Sequence, residues 1–156
     1  MDGGCACAAV RYRLTDAPMF VHCCHCTQCQ RLTGSAFVLN ALIEADRIHL
    51  LHGAPAPVPV PTPSGRPHDI HRCLACRTAL WSDYGRRRVM LFVRVGTLDD
   101  PAALPPDVHI FTSTKLPWVI LPSGVPAFPE YYDMDALWPA ASRARRRTLL
   151  GPERCP

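Results

Sequence analysis

The chain has 156 residues, enough for one domain with a hydrophobic core and too few for two of ordinary size. Apolar residues make up 48% of the sequence and charged residues 19%, which is typical of a folded globular protein rather than a disordered one. The formal charge of +4 sits largely in two arginine clusters, residues 86–88 and 143–147, and not on one continuous face. It is therefore a weak indication of nucleic-acid binding.

The N-terminus and the cysteine content bear on the cellular compartment. Residues 1–14 lack the basic segment and apolar run of a signal peptide, and no stretch approaches the roughly 18 uninterrupted apolar residues of a membrane span. The nine cysteines are odd in number and seven of them are clustered, which favours reduced, metal-binding thiols over a disulfide framework. We expect a cytoplasmic protein with no membrane segment.

Short strands are predicted along the first third of the chain. Residues 8–14 and 19–23 have partly alternating polarity and are separated by a turn at residues 16–18. Residues 24–34 are too polar and cysteine-dense for a core element, so we interpret them as a metal-binding loop. This loop leads into a strand over residues 35–43.

Proline limits the structure of the middle of the chain. Residues 54–67 contain six prolines, so this proline-rich loop cannot enter a sheet interior and is expected to run as an extended surface connection. Residues 78–82 and 89–95 are apolar and flank a turn at residues 83–85. Antiparallel hairpins account for most of this pattern.

The last third combines short apolar runs with a basic end. Residues 97–128 alternate apolar runs with Pro and Gly, which predicts edge strands and turns. Only residues 133–150 look helical, and they form either a short amphipathic helix broken by Pro139 or a partly disordered basic end. We expect a mainly β, antiparallel single domain over residues 1–132 and a basic tail over residues 133–156.

Two cysteine pairs predict a closed zinc site. Cys5 and Cys7, and likewise Cys73 and Cys76, have the close spacing at which a tight turn directs both sulfurs to one ion. Four thiolates saturate a tetrahedral zinc ion, so this site should be structural. A thioredoxin-like role for the second pair is less favoured, because no strand-helix-strand pattern accompanies it.

A third cluster, Cys24, Cys26 and Cys29, predicts a second zinc ion in an open site. Three thiolates leave a tetrahedral ion one ligand short, and an open position distinguishes catalytic from structural zinc. A substrate thiol suits the vacancy, since sulfur is a good zinc ligand and is deprotonated when bound.

The alternative is that a neighbouring donor closes this second site and makes it inert. Cys23, His22 and His25 are all close in sequence, although adjacent strand residues such as Cys23 and Cys24 point to opposite faces. We interpret Cys23 and Cys155 as ordinary thiols.

Other residues carry weaker signals. His109 alternates with apolar neighbours, which favours a hydrogen-bonded packing role, and Trp118 is expected in the core. Arg31 and Lys115 are positioned in sequence to meet an anionic substrate, although surface cations are usually only solvated.

The cysteine motifs resemble those of a known family. The segments are GGCACAAVRY, CHCTQCQRLTGSAF, RCLACRTALW, VGTLDDP and the stretch from KLPW to VPAF. In the order of these five segments, the chain resembles the glutathione-dependent formaldehyde-activating enzyme family, which includes centromere protein V. The resemblance spans residues 3–130. It implies a β-tent fold with a structural zinc on the outer pairs and a catalytic zinc on Cys24, Cys26 and Cys29.

The resemblance also implies an activity and a partner. Family members are carbon-sulfur lyases that add glutathione to formaldehyde, giving S-hydroxymethylglutathione, so a small thiol is the expected partner. The residues permit such a mechanism, with His25 or an ordered water moving the proton. Many relatives have Gly where this chain has Ala8 and Arg77, and we expect strain at these turns.

Two other functions are compatible with the sequence. One is a binding module in which both zinc ions are structural and the basic tail contacts nucleic acid or another acidic partner. Methionine sulfoxide reduction would need a redox cysteine outside the zinc sites, and Cys155 is too terminal for that role. The sequence does not indicate an oligomeric state.

Overall fold

The computed structural model describes residues 1–151, in which ten β-strands form two sheets. Cys155 lies outside the described residues. The strands are β1 (Asp2–Gly4), β2 (Arg11–Leu14), β3 (Phe20–Cys24), β4 (Val38–Glu44), β5 (Ile48–His52), β6 (Ala56–Pro59), β7 (His68–Arg72), β8 (Ala79–Tyr84), β9 (Met90–Arg94) and β10 (Val108–Ile110). The α-helices are α1 (Thr27–Thr33), α2 (Met134–Leu137) and α3 (Ala140–Leu150), with 3-10 turns at Ala45–Arg47, Val95–Thr97, Pro101–Ala103 and Thr112–Thr114.

The sheets are almost entirely antiparallel. The smaller has the order β1-β2-β5, and the larger has the order β10-β3-β4-β9-β8-β7-β6. Among the named strands of the described residues, β10 and β3 form the one parallel pair, and an isolated bridge between His109 and Ala127 is also parallel. The prediction of a mainly β, antiparallel single domain with a short C-terminal helix is confirmed.

Both faces at the centre of the larger sheet are covered. Every residue of β3 is buried, and the strand contributes alternately to two hydrophobic clusters. Val21 packs with Ala41 in one cluster, whereas Phe20 packs with Leu42 in the other. Because successive side chains leave opposite faces of a strand, each cluster covers one face of the sheet.

The helix α1 corrects the prediction that residues 24–34 form a loop and that only residues 133–150 are helical. Its N-cap is Cys26, whose sulfur accepts a hydrogen bond from the backbone N–H of Cys29 at 3.3 Å. Gly34 ends the helix in the left-handed conformation, with φ of 63°. The helix has no buried residue, so its sequence lacks the apolar periodicity that would have predicted it.

The proline-rich segment lies at the edge of the sheet. Residues 56–59 form β6, the outermost strand, whose partner within residues 1–151 is β7 alone. Proline lacks the N–H needed on both sides of a central strand, so an edge position suits it. The segment stays out of the sheet interior as expected, but it is not only a surface connection, because residues 56–59 pair with β7.

The C-terminal segment packs against the domain. Pro139 separates α2 from α3, as the first of the two alternatives for this segment predicted. Trp138 stacks on Phe20 with 5.0 Å between ring centroids, and Leu150 is buried. Arg145 forms a bidentate ion pair with Glu44 of β4.

Two further observations concern the surface. The prediction of Trp118 as a core residue is wrong, because its side chain is 69% exposed in the loop after the last 3-10 turn. Within residues 1–151, no helix combines the length and apolarity required to cross a bilayer.

The substitution Arg145→Ala tests the anchoring of α3. It leaves the carboxylate of Glu44, whose side chain is only 6% exposed, without its bidentate partner. We expect the free energy of unfolding to fall by about 1–3 kcal/mol in urea denaturation, the range for a lost hydrogen bond to a buried charged group. Arg147→Ala, at an exposed arginine of the same helix, is the control, and an equal loss in both variants would contradict the anchoring role.

Candidate metal centres

The outer cysteine pairs converge into one four-thiol group. The sulfurs of Cys5, Cys7, Cys73 and Cys76 all lie within 4.8 Å of one another. The Cys5 and Cys7 sulfurs are 3.5 Å apart, and the Cys7 and Cys73 sulfurs are 3.8 Å apart. A tetrahedron with zinc-sulfur bonds of about 2.3 Å has edges of about 3.8 Å, so these donors fit a zinc ion.

The two turns that carry these pairs have the same backbone design. The N–H of Cys5 bonds the carbonyl of Val10, and the N–H of Cys73 bonds the carbonyl of Thr78, with 3.0 Å in each case. The residue after the second cysteine of each pair has a left-handed backbone, with φ of 60° at Ala8 and 63° at Arg77. The strain expected at these two positions is thus present in the structure, because a Cβ is disfavoured there.

The inner cysteines form a separate three-thiol group. Cys24 ends β3, Cys26 caps α1 and Cys29 lies in its first turn, which brings their sulfurs within 4.8 Å of one another. Hydrogen bonds from the Cys24 and Cys29 thiols, supported by the backbone N–H of Cys29, lower the pKa of Cys26 to about 2. The same contact with Cys26, together with burial, raises the pKa of Cys24. The group therefore stabilises a thiolate, which is the form that binds metal.

The neighbouring donors belong to a different cluster. Cys23 pairs with His109 across the β3–β10 ladder, and its sulfur lies 3.5 Å from Nε2 of His25. The same Nε2 is 3.0 Å from Nδ1 of His109, and all three side chains are buried. His22 instead shares a hydrogen bond of 2.7 Å with the hydroxyl of Tyr132.

These contacts answer the question of local closure for the described part of the chain. Among residues 1–151, no His, Cys, Asp or Glu joins the group of Cys24, Cys26 and Cys29 as a fourth donor. The Nε2 of His25, which the sequence offered as a proton carrier, is engaged with Cys23 and His109. His109 is hydrogen-bonded to His25, as the sequence favoured, but its Nε2 is buried without a partner in the described part of the chain, and the donor atoms of Cys23, His25 and His109 lie within 4.8 Å of one another.

Sequence reasoning missed a buried cation beside the three-thiol group. Arg94 is only 8% exposed, and burial lowers the pKa of its guanidinium, while the charges of Cys29 and Cys24 raise it. By contrast, Lys115 donates to the carbonyls of Leu116 and Val119, and Arg31 is exposed on α1. A lone arginine in the apolar run VMLFVRV was the available signal, because a charge in a buried strand needs a partner.

The chain has similarity to known proteins over most of its length. Residues 1–114 match the model of a family described as glutathione-dependent formaldehyde-activating enzyme. A curated protein of Halomonas elongata, provisionally named as such an enzyme, is 28% identical over 129 residues, which cover 79% of this chain and 82% of that protein. A solved Rhodobacter sphaeroides structure is similar with a TM-score of 0.48 and 19% identity, over 64% of this chain and 88% of that one.

The substitution Ala8→Gly tests the strain at the first turn. Glycine removes the Cβ conflict of a left-handed residue but adds freedom to the unfolded chain, so we expect a net gain of about 1 kcal/mol in the free energy of unfolding. Ala9→Gly is the matched control, since Ala9 has no positive φ, and it should lose about 0.5–1 kcal/mol. Thermal unfolding of zinc-loaded protein measures both, and shifts of the same sign would contradict the strain.

Proposed function

The chain belongs to the glutathione-dependent formaldehyde-activating enzyme family, and on that premise we propose that it is a zinc-dependent carbon-sulfur lyase acting on a thiol and a small aldehyde. The thiol is glutathione or a similar compound, and the aldehyde is formaldehyde or a close relative. The observation that carries the proposal is the three-thiol group of Cys24, Cys26 and Cys29, which has no fourth protein donor among residues 1–151. Such a donor set leaves one tetrahedral position for a substrate sulfur.

The proposed reaction is a reversible addition. The thiol sulfur attacks the carbonyl carbon, a carbon-sulfur bond forms as the carbonyl π bond opens, and the thiol proton ends on the oxygen as a hydroxyl. The reverse reaction cleaves the same bond. A zinc ion would supply a Lewis acid that favours the thiolate form of the substrate.

The residues of the chain have distinct roles in this proposal. Cys24, Cys26 and Cys29 would hold the ion as thiolates, and the guanidinium of Arg94 opposes their charge. Cys5, Cys7, Cys73 and Cys76 would hold a second zinc in a closed site. That site joins the N-terminal turn to the turn between β7 and β8, and it contributes folding energy rather than chemistry.

The alternative, a binding module that uses a basic tail, receives less support. Arg145 is ion-paired with Glu44, and Arg143 donates to the backbone carbonyl of Asp135. Two of the tail's arginines are thus engaged within the chain rather than presented to a partner. The lyase proposal accounts for the open thiol group, which the binding module leaves unexplained.

The metal content is the first test. We expect about two zinc ions per chain by elemental analysis, and about one in Cys26→Ser, because the three-thiol group loses a ligand it cannot replace. In the unaltered protein, the ion on the three-thiol group should be released first by a chelator, since it has fewer protein ligands. Cys23→Ser is the control and should retain both ions, because Cys23 belongs to the cluster with His25 and His109. Two ions in Cys26→Ser would contradict the assignment.

The activity is the second test. Addition of glutathione to formaldehyde also proceeds without a catalyst, so magnetisation-exchange NMR at equilibrium is the suitable measurement. We expect the protein to accelerate exchange between free glutathione and S-hydroxymethylglutathione. Cys26→Ser should abolish the acceleration, and Cys23→Ser should retain it. Exchange rates that are the same with and without the unaltered protein would overturn the proposed function.

A further inference from the structure

A cavity of about 450 Å³ is lined by one residue of the four-thiol group and by residues on the elements that carry the three-thiol group. On one side it is lined by Leu32 and Thr33, at the end of the helix that carries Cys29. On the other side it is lined by Cys76 and Arg77, in the turn of the four-thiol group. Its volume is in the range of cavities that hold small-molecule ligands.

The charge of this cavity is one-sided. Three arginines line it, Arg72, Arg77 and Arg94, whereas no Asp or Glu does. The positive charge of Arg72 also acts on Arg94, so the two guanidiniums repel each other. Like charges held together in a partly desolvated cavity are unfavourable unless an anion lies between them.

Arg94 has the strongest need for such an anion. Its Nη1 donates to Oδ1 of Asn40, but its Nε is buried without a hydrogen-bond partner. No ion pair within residues 1–151 involves it. The thiolates of the three-thiol group balance part of the charge of Arg94. Arg72 is half-buried and donates from Nη1 to the carbonyl of Arg77 at 3.1 Å, Arg77 itself is exposed, and no acidic residue lines the cavity beside them.

We propose that the cavity binds a carboxylate of the thiol substrate through the guanidinium groups of Arg72, Arg77 and Arg94. The proposal rests on the proposed function, because the substrate sulfur has to reach the open position of the three-thiol group. Val38 lines the cavity and is paired with Cys24 in the sheet, and the charges of Cys24 and Cys29 act on Arg94, so the wall of the cavity adjoins the three-thiol group. The substrate class is therefore thiols that carry a carboxylate, and glutathione, with two, belongs to it.

The conformation of Arg77 makes a clean variant possible. Arg77→Gly removes a guanidinium from the cavity and at the same time relieves a left-handed backbone, so it loses charge without losing stability. It is combined with Arg72→Gln, which removes a second guanidinium from the cavity wall. The side chain of Arg72 is half-buried. Ala8→Gly is the matched control, because it relieves the equivalent strain in the other turn and leaves the cavity unchanged.

Two measurements separate carboxylate recognition from metal coordination. Calorimetric titration with S-methylglutathione reports the anion contacts alone, because its capped sulfur forms no thiolate. We expect Arg72→Gln/Arg77→Gly to bind it about 10-fold more weakly than the unaltered protein and Ala8→Gly to bind it equally. In exchange NMR, the unaltered protein should favour glutathione over its diethyl ester about 10-fold, and the double variant should lose this preference.

The outcomes distinguish this inference from the proposed function. Arginine-dependent binding of S-methylglutathione without accelerated exchange would support the carboxylate site and overturn the lyase. Accelerated exchange in which the double variant binds and discriminates as the unaltered protein does would overturn the carboxylate site and leave the lyase standing. Circular dichroism and zinc content of the double variant verify that a loss of binding is not a loss of fold.

Discussion

Adjacent side chains on a β-strand must leave opposite faces, and this constraint at the end of β3 organises the candidate site. Cys24 goes to the face where α1 brings Cys26 and Cys29. Cys23 goes to the other face, where the parallel ladder with β10 places His109 opposite it. Donors that are neighbours in sequence are thereby sorted into separate clusters, and the three-thiol group is left with three ligands among the described residues.

Local sequence was sufficient for the parts of the site that depend on spacing. Cys5 and Cys7 belong together because a tight turn can direct two close thiols to one point, and the same holds for Cys73 and Cys76. The left-handed backbone at Ala8 and Arg77 was expected from the family resemblance, because many relatives have Gly at these positions. The strand pattern of the core followed from short apolar runs between turn residues.

The features that were missed depend on tertiary structure or on unusual local chemistry. The helix α1 is capped by a cysteine and buries no residue. Its N-cap position therefore lacks a common capping residue such as Ser or Asp, and its sequence lacks the apolar periodicity that predicts a helix. The proximity of Arg94 to the three-thiol group depends on the pairing of β9 with β4, which brings the guanidinium of Arg94 near Cys24 and Cys29. Trp118 was assigned to the core from its apolar neighbours, but the loop that contains it, after the last 3-10 turn, is exposed.

The two cysteine groups also differ in how far apart their ligands lie along the chain. Cys7 and Cys73 are separated by 66 residues, whereas the three-thiol group is contained within one strand end and one helical turn. At a synthesis rate of about 5–20 residues per second, Cys73 leaves the ribosome roughly 3–13 seconds after Cys7. The nascent chain can thus bring Cys24, Cys26 and Cys29 together early, whereas Cys5 and Cys7 remain without Cys73 and Cys76 until those residues are synthesised. The three-thiol group therefore has all its sulfur donors synthesised before the four-thiol group does, so the order of the chain itself sets the order in which the two groups become complete.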